Sequence, residues 1–146
     1  MLKASFVIDI ARRPIEVWRV LSNHENDLKW QSVVAEVRKL SPGLVRAGSR
    51  FRHTLQMMGV RMEAEVRIAE TRPGELHVFA VSGGPFAFTT RVALRPSSSG
   101  TLVQTDIEGE PTSMGRLTAI TLSRLRRREI QQDLERLKRL MEAGHL

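Results

Sequence analysis

The chain carries four histidines and no cysteine. Thiolate nucleophiles, disulfides and cysteine metal sites are therefore excluded. His53 is the histidine best placed for chemistry. It shares a period-two strand face with Phe51 and Leu55, while Arg52 and Thr54 take the other face. In a dry pocket an imidazole can polarise a carbonyl or move a proton. The plainer reading makes His53 a structural residue bonded to a backbone carbonyl, or one at an open rim. His24, His77 and His145 fall in a helix junction, on the strand face opposite Leu76 and Val78, and at the C-terminus. None shows H-E-x-x-H spacing, so no metal site and no cofactor are expected. Asp9, Glu63, Glu65, Asp106 and Glu108 all fall on outward strand phases, which leaves no pair of inward carboxylates. Arg126 and Arg127 lie near the inward border of a long helix. There they would select an anionic or carbonyl-bearing ligand, or else snorkel to solvent.

The elements that must position these groups follow from periodicity. Residues 3–10 alternate as a strand, with Phe6, Ile8 and Ile10 on one side. Pro14 suits a helix first turn, and Ile15, Val17, Trp18 and Leu21 continue that helix to Ser22-Asn23. A second short helix covers 25–29, closed by Trp30. Six further strands are expected at 33–40, 48–57, 61–71, 76–81, 86–95 and 101–110, separated by Gly, Pro and Ser turns. The last helix runs from about Met114 to Leu146, capped by Pro111-Thr112-Ser113. Ile130, Leu134, Leu137 and Met141 form its apolar face at i, i+4, i+7 and i+11. Further back, Ala119, Ile120 and Ser123 replace that face with a smaller, more polar stripe. Consecutive strands pair with their neighbours, giving an α+β fold: a curved seven-stranded antiparallel sheet around the long C-terminal helix, with two short helices after the first strand. One end of the helix anchors on the core and the other covers a cavity.

The 146 residues, 41% hydrophobic and 27% charged, fit one domain spanning 1–146. No apolar run reaches the ~18 residues of a membrane span, and the N-terminus lacks a signal-peptide pattern. A cytoplasmic protein is expected. The formal charge is +7. Residues 115–146 hold eight Lys and Arg against four acids, so this tail supplies most of the excess. No nucleic-acid motif accompanies the charge and aromatics are only 5%, so nucleic acid is not the expected partner. A homodimer is left open.

Several stretches carry a resemblance. Ala11-Arg12-Arg13-Pro14-Ile15-Glu16-Val17-Trp18 is similar to the strand-to-helix junction of the START/Bet v 1-like (SRPBCC) superfamily. Leu28-Lys29-Trp30 resembles the end of its short second helix, and Val45-Arg46-Ala47-Gly48-Ser49-Arg50-Phe51 its strand start. Gly100-Thr101-Leu102-Val103 resembles its hairpin exit, and residues 134–142 its helix ending. The local features resemble the polyketide cyclase/dehydrase-like branch, and the element order matches over nearly the whole chain. One departure is Ser22, where relatives often carry aspartate; serine can still cap there. The resemblance implies a helix-grip fold with a deep apolar cavity between sheet and long helix, holding a small hydrophobic molecule. None of these motifs is catalytic, and fold does not give function.

The expected lining is Trp30, Phe51, His53, Leu55, Met62, Phe86, Phe88, Thr90, Ala119, Ile120, Ser123 and Arg127, with His53 the catalytic candidate. Met57, Met58, Met114 and Met141 are soft lining or core candidates, and Trp18 packs the first helix on the sheet. Three functions are open. The first is a module that encloses an aromatic, lipid or polyketide-like ligand. The second is a cyclase or dehydrase without metal or nucleotide cofactor, in which His53 or an inward arginine assists enolate chemistry. The third is a regulatory or partner-binding module using the basic helix over a collapsed cavity. Cavity polarity separates the first two.

Overall fold

The computed structural model describes residues 2–57, 59–83, 86–111 and 116–146. In chain order the elements are β1 (Leu2–Ile10), α1 (Pro14–Ser22), a 3-10 turn (His24–Asn26), α2 (Asp27–Trp30), β2 (Val34–Lys39), β3 (Arg50–Met57), β4 (Val60–Arg72), β5 (Leu76–Ser82), β6 (Phe86–Pro96), β7 (Thr101–Pro111) and α3 (Arg116–Glu142). The seven strands form one antiparallel sheet in the order β1-β7-β6-β5-β4-β3-β2. From β2 to β7 each strand pairs with its chain neighbour. The two short helices between β1 and β2 carry the chain across, so β1 pairs with β7 instead. The cap expected from Thr112 and Ser113 lies outside the described residues.

Local chemistry explains the helical insert. Pro14 occupies the first position of α1, and Glu16 accepts the otherwise orphaned Arg13 backbone N–H at 3.1 Å. That bond, with burial opposing it, holds the Glu16 carboxyl below its ordinary pKa. After α1 it is Asn23, rather than Ser22, that caps: its side chain accepts the Glu25 N–H at 3.2 Å, while Ser22 is buried. Asn26 donates back to the Val20 carbonyl at 3.2 Å. The turn is thereby closed tightly enough to aim His24 and Asp27 inward, and both are buried.

The core has two parts. Phe6, Ile8 and Ile10 of β1 meet Val92, Leu94 and Val103, with Val17 and Leu21 of α1 and Leu134, Leu137 and Met141 of α3. Phe51, Ala64, Val66, Ile68 and Val81 form a second cluster under the other half of the sheet. The last turns of α3 are held by polar contacts as well. Arg12 donates to the Met141 carbonyl at 2.9 Å, and the Ala11 N–H donates to Glu142 at 2.9 Å. Arg136 donates to the Trp30 carbonyl at 3.1 Å. Part of the basic character of α3 is neutralised along the helix by Arg126–Glu129, Arg136–Asp133 and Lys138–Glu142 pairs. Leu137 is fully buried in this anchor. Leu137→Ala is expected to destabilise the protein by about 2–5 kcal/mol, measured as a lower urea midpoint at unchanged slope.

Among the described residues no helix is long and apolar enough to cross a membrane.

Candidate functional site

A cavity of about 330 Å³ lies between the sheet and α3. Its walls are largely apolar: Leu55, Phe79, Val81, Phe88 and Ile107 from the strands, Leu21 and Trp30 from the short helices, and Ile130 and Leu134 from α3.

One region of the wall is polar. His24 and Asp27 sit three residues apart on the short turn after α1, with His24 Nδ1 2.8 Å from Asp27 Oδ2. From β3, His53 places Nε2 3.1 Å from the same oxygen. That approach is close enough for charge contact but lies off the line of a hydrogen bond, and His53 Nε2 has no hydrogen-bond partner among the described residues. Asp27 Oδ1 and Trp30 Nε1 are likewise buried and unpartnered. On its other side, His24 Nε2 is 2.9 Å from His77 Nε2. His77 Nδ1 is 3.0 Å from Thr71 Oγ1, which accepts the Trp18 indole N–H at 3.0 Å. The result is a buried polar chain, Trp18–Thr71–His77–His24–Asp27.

The donor inventory assigns its protons. With His24 neutral, Thr71 donates to His77 Nδ1, His77 Nε2–H donates to His24 Nε2, and His24 Nδ1–H donates to Asp27. With His24 charged, His24 Nε2–H donates to His77, His77 Nδ1–H donates to Thr71, and the Thr71 hydroxyl turns to the Leu76 carbonyl 3.4 Å away. The ring nitrogens and the hydroxyl are all partnered in both states; passing between them moves the His77 proton from Nε2 to Nδ1 and turns the Thr71 hydroxyl, while Asp27 Oδ1 stays unpartnered.

Electrostatics follow from burial. Burial alone would raise the pKa of Asp27, but the charge and hydrogen bond of His24, with His53 beside it, outweigh burial and hold the carboxyl below its ordinary value. Burial, then repulsion from His24, pushes His77 down to about 3 despite the nearby Asp27. His77 is therefore neutral at physiological pH, whereas an unfolded chain protonates it near pH 6.5. Its contribution to stability is complete above about pH 6.5 and is lost progressively as the pH falls toward 3. In chelator-containing buffer, unfolding free energy is expected to drop by about 2–3 kcal/mol between pH 6.5 and 4.5 from this group. His77→Gln should flatten that part of the profile. Asp133, whose pKa is raised by burial against bonds from Ser32 and the charges of Arg126 and Arg136, acts with the opposite sign and only at the acid end.

Of the cavity candidates singled out in the sequence, Trp30, His53, Leu55, Met57, Phe88, Thr90, Arg126 and Arg127 line the cavity. Arg127 is exposed at the rim and donates to the Lys3 carbonyl at 2.9 Å. Phe51 does not reach the cavity. It is wholly buried in the second core cluster, its ring 5.2 Å from that of His24. Met62 does not line it either; it stands opposite Leu55 near the end of the β3–β4 hairpin, half-buried. The side chains of Phe86, Ala119, Ile120 and Ser123 lie outside the described residues.

Sequence reasoning missed His24, Asp27, His77 and Asp133. His77 shares the inward face with Phe79 and Val81, so the face opposite Leu76 and Val78 is the cavity face. A register shift between Ile68 and Glu70 changes the phase of β4 and brings Thr71 opposite His77. The absence of inward carboxylates is also corrected. Asp27 and Asp133 both line the cavity, and Asp133 accepts the Ser32 N–H at 3.1 Å. Both acids stand on helical segments, outside the strands whose phases were read. The His24-x-x-Asp27 spacing, one helical turn on a short segment, was the available signal.

A family profile described as "Polyketide cyclase / dehydrase and lipid transport" matches residues 1–142. No curated protein sequence matches the chain. Among solved structures, a protein of Thermus thermophilus superposes with a TM-score of 0.80 at 19% identity, covering 99% of both chains. A START superfamily protein from Mycobacterium smegmatis gives 0.71 at 16% identity, covering 97% of this chain and 95% of that one. Ara h 8.0201 gives 0.67 at 10% identity, covering 93% of this chain and 97% of that one. Identities this low speak for the fold alone, and that fold is the helix grip. The profile match over nearly the whole chain goes further: this chain belongs to the polyketide cyclase/dehydrase and lipid transport family.

Proposed function

We propose that the protein encloses a small hydrophobic molecule, aromatic, lipid or polyketide-like, between the sheet and α3. The observation that carries this reading is a cavity of about 330 Å³ with apolar walls and one concentrated polar region, formed by His24, Asp27 and His53. Ligand sites have this makeup: apolar surface supplies affinity, and a few convergent polar groups fix orientation. In this reading a carbonyl or hydroxyl of the ligand faces His53, and its apolar body lies against Phe79, Phe88 and Ile107. An apolar fluorescent probe, 1-anilinonaphthalene-8-sulfonate, is expected to bind at one site per chain. Thr90→Trp, which fills the cavity from β6, should weaken that binding at least tenfold. Val60→Trp, on an exposed strand end, should not. Equal affinity in both variants, with folding checked by near-ultraviolet circular dichroism, would place the probe elsewhere.

The second reading, a cyclase or dehydrase, is favoured by the polar chain. The buried Asp27–His24–His77 relay can hold or release a proton while each ring nitrogen of His24 and His77 keeps a partner. His53 Nε2, free of hydrogen-bond partners among the described residues, faces the same region. A neutral His53 in this position can take the proton α to a ligand carbonyl. If it does, His53→Gln removes turnover while probe affinity changes little; a binding role alone moves affinity first.

A further inference from the structure

We propose that His24, Asp27 and His53 form a binding site for one divalent transition-metal ion at the polar end of the cavity. Each residue offers one ligand atom, and the three atoms lie within 4.8 Å of one another. Metal–ligand bonds of about 2.1 Å put adjacent ligand atoms roughly 3 Å apart. The His24–Asp27 and His53–Asp27 separations, 2.8 and 3.1 Å, match that spacing; the two imidazole nitrogens, which lie within 4.8 Å, would have to stand no more than about 4.2 Å apart on a shared ion.

Two further observations point to an occupant. Asp27 Oδ1 and His53 Nε2 are sealed from solvent and lack hydrogen-bond partners among the described residues, on residues only 1% and 5% exposed. Buried polar atoms are normally satisfied; a cation held by His24, Asp27 Oδ2 and His53 would satisfy His53 Nε2. His24 also has the outer support that metal-bound histidines need. With Nδ1 on the metal, its Nε2–H donates to His77, His77 donates to Thr71, and Thr71 donates to the Leu76 carbonyl. The metal replaces only the proton that His24 shares with Asp27.

The donor set selects the ion. Two imidazole nitrogens and one carboxylate suit zinc, iron(II), cobalt or nickel, whereas magnesium and calcium prefer oxygen. Three protein ligands leave coordination positions open toward the cavity. Two neutral imidazoles and one carboxylate against a dication leave one net positive charge, which favours an anionic or enolate oxygen on whatever the cavity holds. The ligands come from a short turn and a distant strand, so the linear motifs of zinc enzymes do not reveal them.

The test is a cobalt titration of the chelator-stripped full chain, followed by visible d–d absorption and equilibrium dialysis. One cobalt ion per chain is expected, with micromolar or tighter affinity. His53→Ala, which leaves the His24–Asp27 contact in place, should weaken it at least tenfold. His77→Phe should weaken it by roughly 10–100-fold through the lost outer support, and His145→Ala should leave it unchanged. X-ray absorption of the cobalt-loaded wild type should count two imidazoles, a readout that survives if a variant fails to fold. No stoichiometric cobalt, unchanged affinity in folded His53→Ala, or a coordination shell without imidazole would overturn the proposal. Probe binding to the apolar cavity is measured without metal, so either idea can fail alone.

Discussion

Asp27→Ala is expected to destabilise the protein by about 3–5 kcal/mol, the cost of stripping the partner from a buried charged or hydrogen-bonded group. Asp27 is 1% exposed, and its carboxylate is the acceptor at which the whole Trp18–Thr71–His77–His24 chain ends. Removing it leaves the His24 N–H buried without an acceptor and His53 without its neighbouring charge. Against a total stability of about 5–15 kcal/mol, such a loss is severe and lowers the melting temperature by roughly 10 °C or more. Asp27→Asn retains an oxygen that can accept from His24 and should cost clearly less. Urea unfolding of both variants checks this. Equal stability of Asp27→Ala and wild type would mean that the polar chain is not closed as described.

Gly100→Ala has the other large expected effect. The backbone of Gly100 has φ +152° and passes the end of β1 so closely that a Cβ would lie 2.3 Å from the Ile10 carbonyl oxygen and 2.7 Å from the Arg12 nitrogen. These are backbone atoms at the junction of β1 and α1, where α3 also docks, so they cannot rotate aside. A loss of roughly 3 kcal/mol or more is expected from strain and displaced backbone, read as a fall in soluble yield and in the urea midpoint. Gly43→Ala is the control for conformation without crowding: its φ is +84°, yet nothing lies within 4 Å of the added carbon.

Gly100 also shows what sequence can and cannot convey. The pair Gly100-Thr101 is recognisable as a family signature, but its reason is tertiary. The glycine lets β7 press on residues 10–12, and the Thr101 hydroxyl donates to the Arg12 carbonyl at 2.6 Å. The fold itself was legible because it is written in local periods. Phe6, Ile8 and Ile10 at period two, and Leu134, Leu137 and Met141 at helical spacing, are buried where those periods place them. The site was legible only in part. His53 could be placed on the inner face of β3 because that strand is regular up to the hairpin. His77 could not, because polar character suggested solvent and no local signal shows which face of β5 meets the cavity. His24 and Asp27 meet His77 and His53 only after the chain has closed on itself; His24 and His77 are 53 residues apart. A carboxylate on a four-residue helix also gives too short a pattern to reveal its burial.

The central claim is that the space between sheet and α3 is where a small apolar molecule binds. Intermolecular nuclear Overhauser effects between 1-anilinonaphthalene-8-sulfonate and the methyl-labelled protein test it most directly. The account predicts contacts from the naphthalene protons to methyls of Leu21, Val81, Val92, Ile107 and Leu134, all on the cavity wall. Contacts confined to Leu28, Leu44 and Val60, which are exposed on the outer surface, would contradict it.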